Sequence, residues 1–244
     1  SMFANIIVTT GDLVRVGDWI KVNDTDADGF VTDVSLNIVK VQNFDKTVTA
    51  LPTYSLVQKS FVNYRGMFDS GGRRIKRSLI FDQQSVRHLS AQELEELRKI
   101  PLLDEALALE IESVTQQQGP GQSSGLLITN SGLFRQYITV YLKQHPKVRQ
   151  DLMLLVRQMQ PDQNGLPIQV YCFLNDTRWV FFEGIQSSIF DHLISMVPIF
   201  GLRIFQAENA FSEPNAVARL IGLAPEKLFD SGISLEQPES DSQT

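Results

Sequence analysis

The sequence predicts a small five-stranded antiparallel β-barrel followed by a ferredoxin-like α/β domain with a helical insertion. Three observations lead there. Residues 13–65 hold five short β-branched stretches joined by close turns, a pattern that suits a barrel closing its own edges. After Gly71-Gly72 the period changes, and strands alternate with helical stripes in the order β-α-β-β-α-β. Between the first of those strands and its helix, residues 83–130 carry two further helix signatures and a Gly-rich stretch, which makes them an insertion.

In the barrel region, Val14, Val16, Trp19, Ile20 and Val22 lead into the acidic turn Asp24-Thr25-Asp26-Ala27-Asp28-Gly29. Phe30, Val31 and Val34 follow, then the run 38–44, and Asp45-Lys46 turns the chain into 47–51, where Pro52 stops the strand. Residues 61–64 supply the fifth strand. The expected core is Val31, Val39, Val41 and Leu51. Residues 73–82 form one strand, with Ile75, Leu79 and Phe81 sharing a face by the two-residue period. Ser90 offers an N-cap with Glu93 three residues on, a capping box for the first inserted helix. A second inserted helix covers 102–117, and 119–125 is a mobile loop. Then come a helix over 131–144, strands over 151–160 and 168–174, and a helix over 177–196 striped by Phe182, Ile185, Ile189, Leu193 and Met196. A last strand covers 199–205, and the polar end from Glu236 is expected to be disordered.

Composition narrows function. Lys+Arg 22 against Asp+Glu 28 gives a net charge of −6, which does not favour a nucleic-acid binder. The single cysteine, Cys172, forms no intrachain disulfide, and its place between Val170 and Leu174 makes it a buried inert thiol. No apolar run approaches the length of a membrane-spanning helix. Ser1-Met2 reads as a tag remnant.

Several motifs imitate chemistry. The acidic turn matches half of a calcium loop, but its twelfth position is Ser35, so it is read as a hairpin turn with Gly29 in an unusual backbone conformation. Asp191, His192 and Ser195 share a helix in an arrangement that does not let Asp191 orient His192, and His88 and His145 are read as solvated. Arg73, Arg74, Lys76 and Arg77 divide between both faces of a strand and so do not form one phosphate-tracking stripe. Phe61, Tyr64 and Arg65 keep open a single-strand-binding alternative, since small barrels use aromatics beside basic residues for that purpose. No catalytic, metal or cofactor constellation emerges, and an enzyme is not expected.

The stretches Arg15-Val16-Gly17-Asp18-Trp19-Ile20, Gly29-Phe30-Val31-Thr32-Asp33-Val34, the run 38–46 and Leu51-Pro52-Thr53 occur in an order that resembles the small-conductance mechanosensitive channel family. Phe61-Val62-Asn63-Tyr64-Arg65 and Arg73-Arg74-Ile75-Lys76-Arg77 complete the resemblance, which is specific over residues 11–80 and looser to 206. It points to the bacterial branch with a longer insertion in the α/β part.

That resemblance implies a cytoplasmic vestibule below a tension-gated pore, with an Sm-like β domain over 13–68 and an α/β domain over 69–210. Residues 1–12 would be the end of the pore helix and its linker, and 211–244 a C-terminal segment. The implied assembly is a homo-oligomer of seven copies, joined to a bacterial inner membrane by upstream helices, passing ions and relieving osmotic stress, with no cofactor and no nucleic acid. The implied junction of pore helix and barrel uses Ile6, Ile7, Gly11 and Gly17, and residues 3–16 are expected to be a loosely held arm. The implied gating contact falls on Thr53, where the family commonly has Asn. A soluble Sm-like RNA- or single-strand-binding protein is the alternative.

Overall fold

The computed structural model describes residues 12–117 and 127–206. Ile6, Ile7 and Gly11, the 119–125 loop and the 211–244 segment lie outside the described residues.

Five strands make the first sheet: β1 (Trp19–Val22), β2 (Asp28–Val34), β3 (Ile38–Asn43), β4 (Val48–Pro52) and β5 (Phe61–Asn63). They pair antiparallel in the order β4-β3-β2-β1-β5. Alternation decides which side is buried: β3 reads exposed, buried, exposed, buried along Ile38–Asn43, and its inward valines face Val31 and Leu51 across the ladders. Val31, Val39, Val41 and Leu51 are buried as expected. A register shift between Val31 and Asp33 places a bulge in β2, which bends the sheet around this core. The ladders leave β4 and β5 as the two ends of the sheet, so its curl is completed by packing. The short helix α1 (Ser55–Gln58) connects those ends and sends Leu56 into the same core.

Gly29 corrects the expectation placed on it. Its backbone is ordinary strand, paired with Asn43, and the left-handed residue of the acidic turn is Asp24, at φ 58°. Glycine is required at 29 for room, because a Cβ there would lie 2.0 Å from the Gln42 carbonyl oxygen.

Helix α2 (Arg65–Ser70) ends at Gly71 and leads into the second sheet. This sheet comprises β6 (Arg73–Phe81), β7 (Leu155–Gln158) and β8 (Leu166–Leu174), in the order β6-β8-β7. Two expected strands are shorter. The 151–160 strand is only Leu155–Gln158, because residues 150–152 bend beside the Arg149–Asp151 ion pair. The 199–205 strand is reduced to a bridge between Ile204 and Phe81, since Pro198 and Gly201 hold 197–201 in a 3-10 turn. Even so, that bridge lies beyond β6, so the spatial order is the ferredoxin-like one.

Helices α3 (Ala91–Arg98) and α4 (Leu103–Gln117) are the insertion, and α5 (Asn130–Gln144) and α6 (Trp179–Met196) are the helices of the ferredoxin-like order. Ser90 and Glu93 form the expected capping box. The second core gathers Ile75, Leu79 and Phe81 of β6, Ile168, Val170 and Cys172 of β8, and the inward faces of α5 and α6. Among the described residues no helix is long and apolar enough to cross a membrane.

Candidate functional site

Two linked features stand where the chain enters the first sheet and where the two sheets meet. The first is a charged clamp. Asp18, just before β1, is buried, with 8% of its surface exposed. Its carboxylate accepts from the Arg15 backbone N–H at 2.8 Å, from Asn63 Nδ2 at 2.9 Å and from Arg65 Nε at 3.0 Å. Asn63 Nδ2 also donates to the Leu13 carbonyl at 3.0 Å, and Arg65 Nη1 donates to the Asp12 carboxylate at 3.1 Å. Arg15 closes the ring with its own ion pair to Asp12. Burial alone would push the Asp18 carboxyl up, but the hydrogen bonds from Arg65, the Arg15 N–H and Asn63 outweigh it and hold it below the usual carboxylate range.

This clamp corrects the expected loose arm for its described part. Residues 12–15 are tied to both β1 and β5, and Val14 is buried in the first core. The turn into β1 depends on Gly17 at φ 93°, with the Arg15 carbonyl accepting from the Asp18 N–H at 3.1 Å. That is type II turn geometry, which favours glycine at its third position.

The second feature is an aromatic junction around Trp19. Its ring stacks on Tyr64 at 4.0 Å and meets Phe44 edge-on at 5.1 Å, while its Nε1 donates to Asp28 at 2.9 Å. Trp179, at the start of α6, lies 6.3 Å from Trp19 and 4.9 Å from Phe44. The Arg73 guanidinium at the start of β6 lies over Trp19 and Trp179, 5.6 Å from each, and 4.6 Å from Phe182. Desolvation lowers the Arg73 pKa, though the nearby Glu183 charge opposes the shift. One cation thus contacts rings from both sheets' surroundings.

Known proteins resemble this arrangement. The family described as "Mechanosensitive ion channel, beta-domain" matches residues 1–66. Over that part the chain is similar to the β-domain of mechanosensitive ion channels. It is 23% identical over 201 residues to the low conductance mechanosensitive channel YnaI of Escherichia coli (strain K12), covering 82% of this chain and 46% of that protein. The chain therefore spans about half the length of this curated relative. The cryo-EM structure of Arabidopsis thaliana MSL1 superposes with a TM-score of 0.51 at 10% identity, covering 84% of this chain and 58% of that one, a likeness of fold. A second structure, of wild-type AtMSL1, gives the same TM-score and identity over 84% of this chain and 56% of that one.

Within this channel β-domain, Thr53 is buried at 1% exposure. Its hydroxyl donates to the Ser35 carbonyl at 3.3 Å and its N–H to the Asn37 carbonyl at 2.9 Å, so it ties the end of β4 to the β2–β3 turn. The basic cluster divides between faces as its spacing predicts. Arg73 and Arg77 cover Phe182 and Phe190 of α6, whereas Arg74 lies over Tyr171. That division leaves no continuous basic stripe of the kind a nucleic-acid strand would need.

His192 makes no triad: Tyr137 Oη lies 2.8 Å from its Nε2, its ring stacks on Tyr141 at 4.3 Å, and Ser195 donates to its carbonyl. His145 is not simply solvated. It meets Tyr141 edge-on at 5.7 Å, and burial, with His192 and Lys147 nearby, lowers its pKa. Among the described residues no group of three or more His, Cys, Asp or Glu could hold a metal.

Asp12, Asp18, Trp19 and Trp179 were not legible as site residues. Asp18 and Arg65 are 47 residues apart, so no local spacing marks them as partners.

Proposed function

We propose that the chain forms the cytoplasmic vestibule of a mechanosensitive ion channel of a bacterial inner membrane, opening under tension to relieve osmotic stress. Seven copies would ring the ion path, joined to the bilayer by helices upstream of these residues. The observation that carries this reading is the clamp around Asp18. A segment arriving from a pore needs a stiff attachment if helix movement is to reach the β-domain. Residues 12–15, held by Asp18, Asn63 and Arg65, supply one. In this reading Ile6, Ile7 and Gly11 belong to the approach, Gly17 is the fixed corner, and Thr53 acts from inside the β-domain by setting the β2–β3 turn.

The reading is tested by the native mass of the full-length protein in detergent and by survival of channel-deficient bacteria expressing it through a drop in osmolarity. A closed ring with restored survival is expected. A monomer that fails to protect would overturn the proposal.

A further inference from the structure

The C-terminal end of α6 is fastened to α5 by a cluster of rings. Tyr137 Oη lies 2.8 Å from His192 Nε2, and the Tyr141 ring stacks on His192 at 4.3 Å. His145, at the C-cap of α5, meets Tyr141 edge-on, and Phe200 lies 5.5 Å from Tyr137. Both imidazoles are half-buried and Tyr137 is buried. The segment after α5 brings Lys147 near His145, and Asp191 precedes His192 on the exposed side of α6. Other neighbouring charges are engaged elsewhere: Glu105 of α4 accepts from Gln144, and Arg77 of β6 covers Phe190. Among the described residues no carboxylate lies within ion-pair distance of either imidazole.

Burial, with Tyr141 beside it, pushes the Tyr137 hydroxyl up to about 12, so it keeps its proton throughout the physiological range. With His192 neutral and protonated at Nδ1, its Nε2 accepts a hydrogen bond from that hydroxyl. A proton on Nε2 makes the ring a donor, and the Tyr137 O–H must turn away. It has no other partner among the described residues, and a buried hydroxyl hydrogen without one is costly. Burial opposes the charge as well, at His192 and at His145, where His192 and Lys147 add to it. The Tyr141 face attracts an imidazolium, which offsets part of this cost. Charging therefore weakens the fastening while the apolar contacts of Ile189 and Leu193 beneath it remain.

Helix α6 carries this cluster at one end and Trp179 at the other, with about 20 Å of continuous helix between them. We propose that the His192–Tyr137 pair is a pH-sensitive latch. Neutral, it seats α6 on α5; charged, it lets α6 shift and moves Trp179 against Trp19 and Arg73 where the two sheets meet. The seating is complete above the ordinary histidine value and is lost as pH falls below it, through the lowered value of the folded chain.

The test uses the 244-residue chain, which has three histidines and two tryptophans, Trp19 and Trp179, both at the junction. Ring-proton NMR follows His192 from about pH 8 to about pH 5 while tryptophan fluorescence follows the junction. A fluorescence change is expected, with a midpoint that matches the His192 titration and lies below the ordinary histidine value. His192→Gln should remove that change, and His88→Gln should leave it in place. Tyr137→Phe takes away both the bond to the neutral ring and the hydroxyl that charging orphans, so the midpoint should rise by about half a pH unit or more. A packing role alone would not move it. Should His192→Gln melt well below wild type at neutral pH, the Tyr137→Phe midpoint decides. No fluorescence change in wild type, a change that survives in folded His192→Gln, or an unmoved midpoint in Tyr137→Phe would each overturn the proposal.

Discussion

The Arg65 guanidinium meets both oxygens of the Asp18 carboxylate, joining the residue that follows β5 and Tyr64 to the residue that precedes β1, 47 positions earlier. Because Asp18 also accepts from the Arg15 N–H, the entry of the chain and the last strand of the sheet share one buried charge. Removing Arg65 leaves the buried Asp18 carboxylate without its ion pair, which is costlier than losing a surface pair.

Asp18→Asn is therefore expected to destabilise the first sheet by about 2 kcal/mol at neutral pH. The pH dependence follows from the lowered Asp18 pKa. Its stabilising contribution is complete above the ordinary carboxylate range and is lost as pH falls through the depressed value. Denaturant melts of wild type and variant should converge in acid. A gap that stays constant to strongly acidic pH would remove the charge from the account.

Gly17 and Gly29 are needed for different reasons. Gly17 has open space around it and a φ of 93°, whereas Gly29 has ordinary backbone and no space. Both Ala variants should lose about 1–3 kcal/mol. Gly17→Asn should recover part of that loss, because Asn tolerates the left-handed region, while Gly29→Asn should be worse than Gly29→Ala. Thermal melting of the four variants separates the two causes, and equal Asn effects at both sites would contradict them.

The parts of this fold that local pattern determines were legible in advance. Alternation placed Val39 and Val41 inward, and the Ser90–Glu93 spacing marked a helix start. Contacts between distant segments were not. His145 lies near His192 only once α5 packs on α6, and the Arg73–Trp19–Trp179 group needs three separate elements to converge. The strand over 199–205 looked sound by residue type, but the turn set by Pro198 and Gly201 uses up most of its length. Gly29 misled because glycine in an acidic turn suggests a special φ, and nothing local reveals that Gln42 lies against it.

Val41 is fully buried opposite Val31 and Thr49. Val41→Asp places an unpaired charge there and is expected to cost more than about 4 kcal/mol, enough to unfold the first sheet. Circular dichroism should show the loss of β signal, and wild-type melting would mean that the strand register is wrong.

Cys172 is fully buried in β8, and burial pushes its thiol up to about 12. A thiol reagent at neutral pH should label it only as fast as the second core opens. Labelling should accelerate across the unfolding transition in denaturant. Rapid labelling of native protein would contradict the placement of β8.

In the proposed function, tension reaches the β-domain through the Asp18–Arg65 clamp. Patch-clamp recording of the full-length channel with Arg65→Gln, beside wild type, tests it most directly. Tension-gated currents are expected in wild type and a shifted opening threshold in the variant, with single-channel conductance unchanged because the clamp binds chain to chain. Wild-type protein without tension-gated current, or a variant with the wild-type threshold, would contradict it.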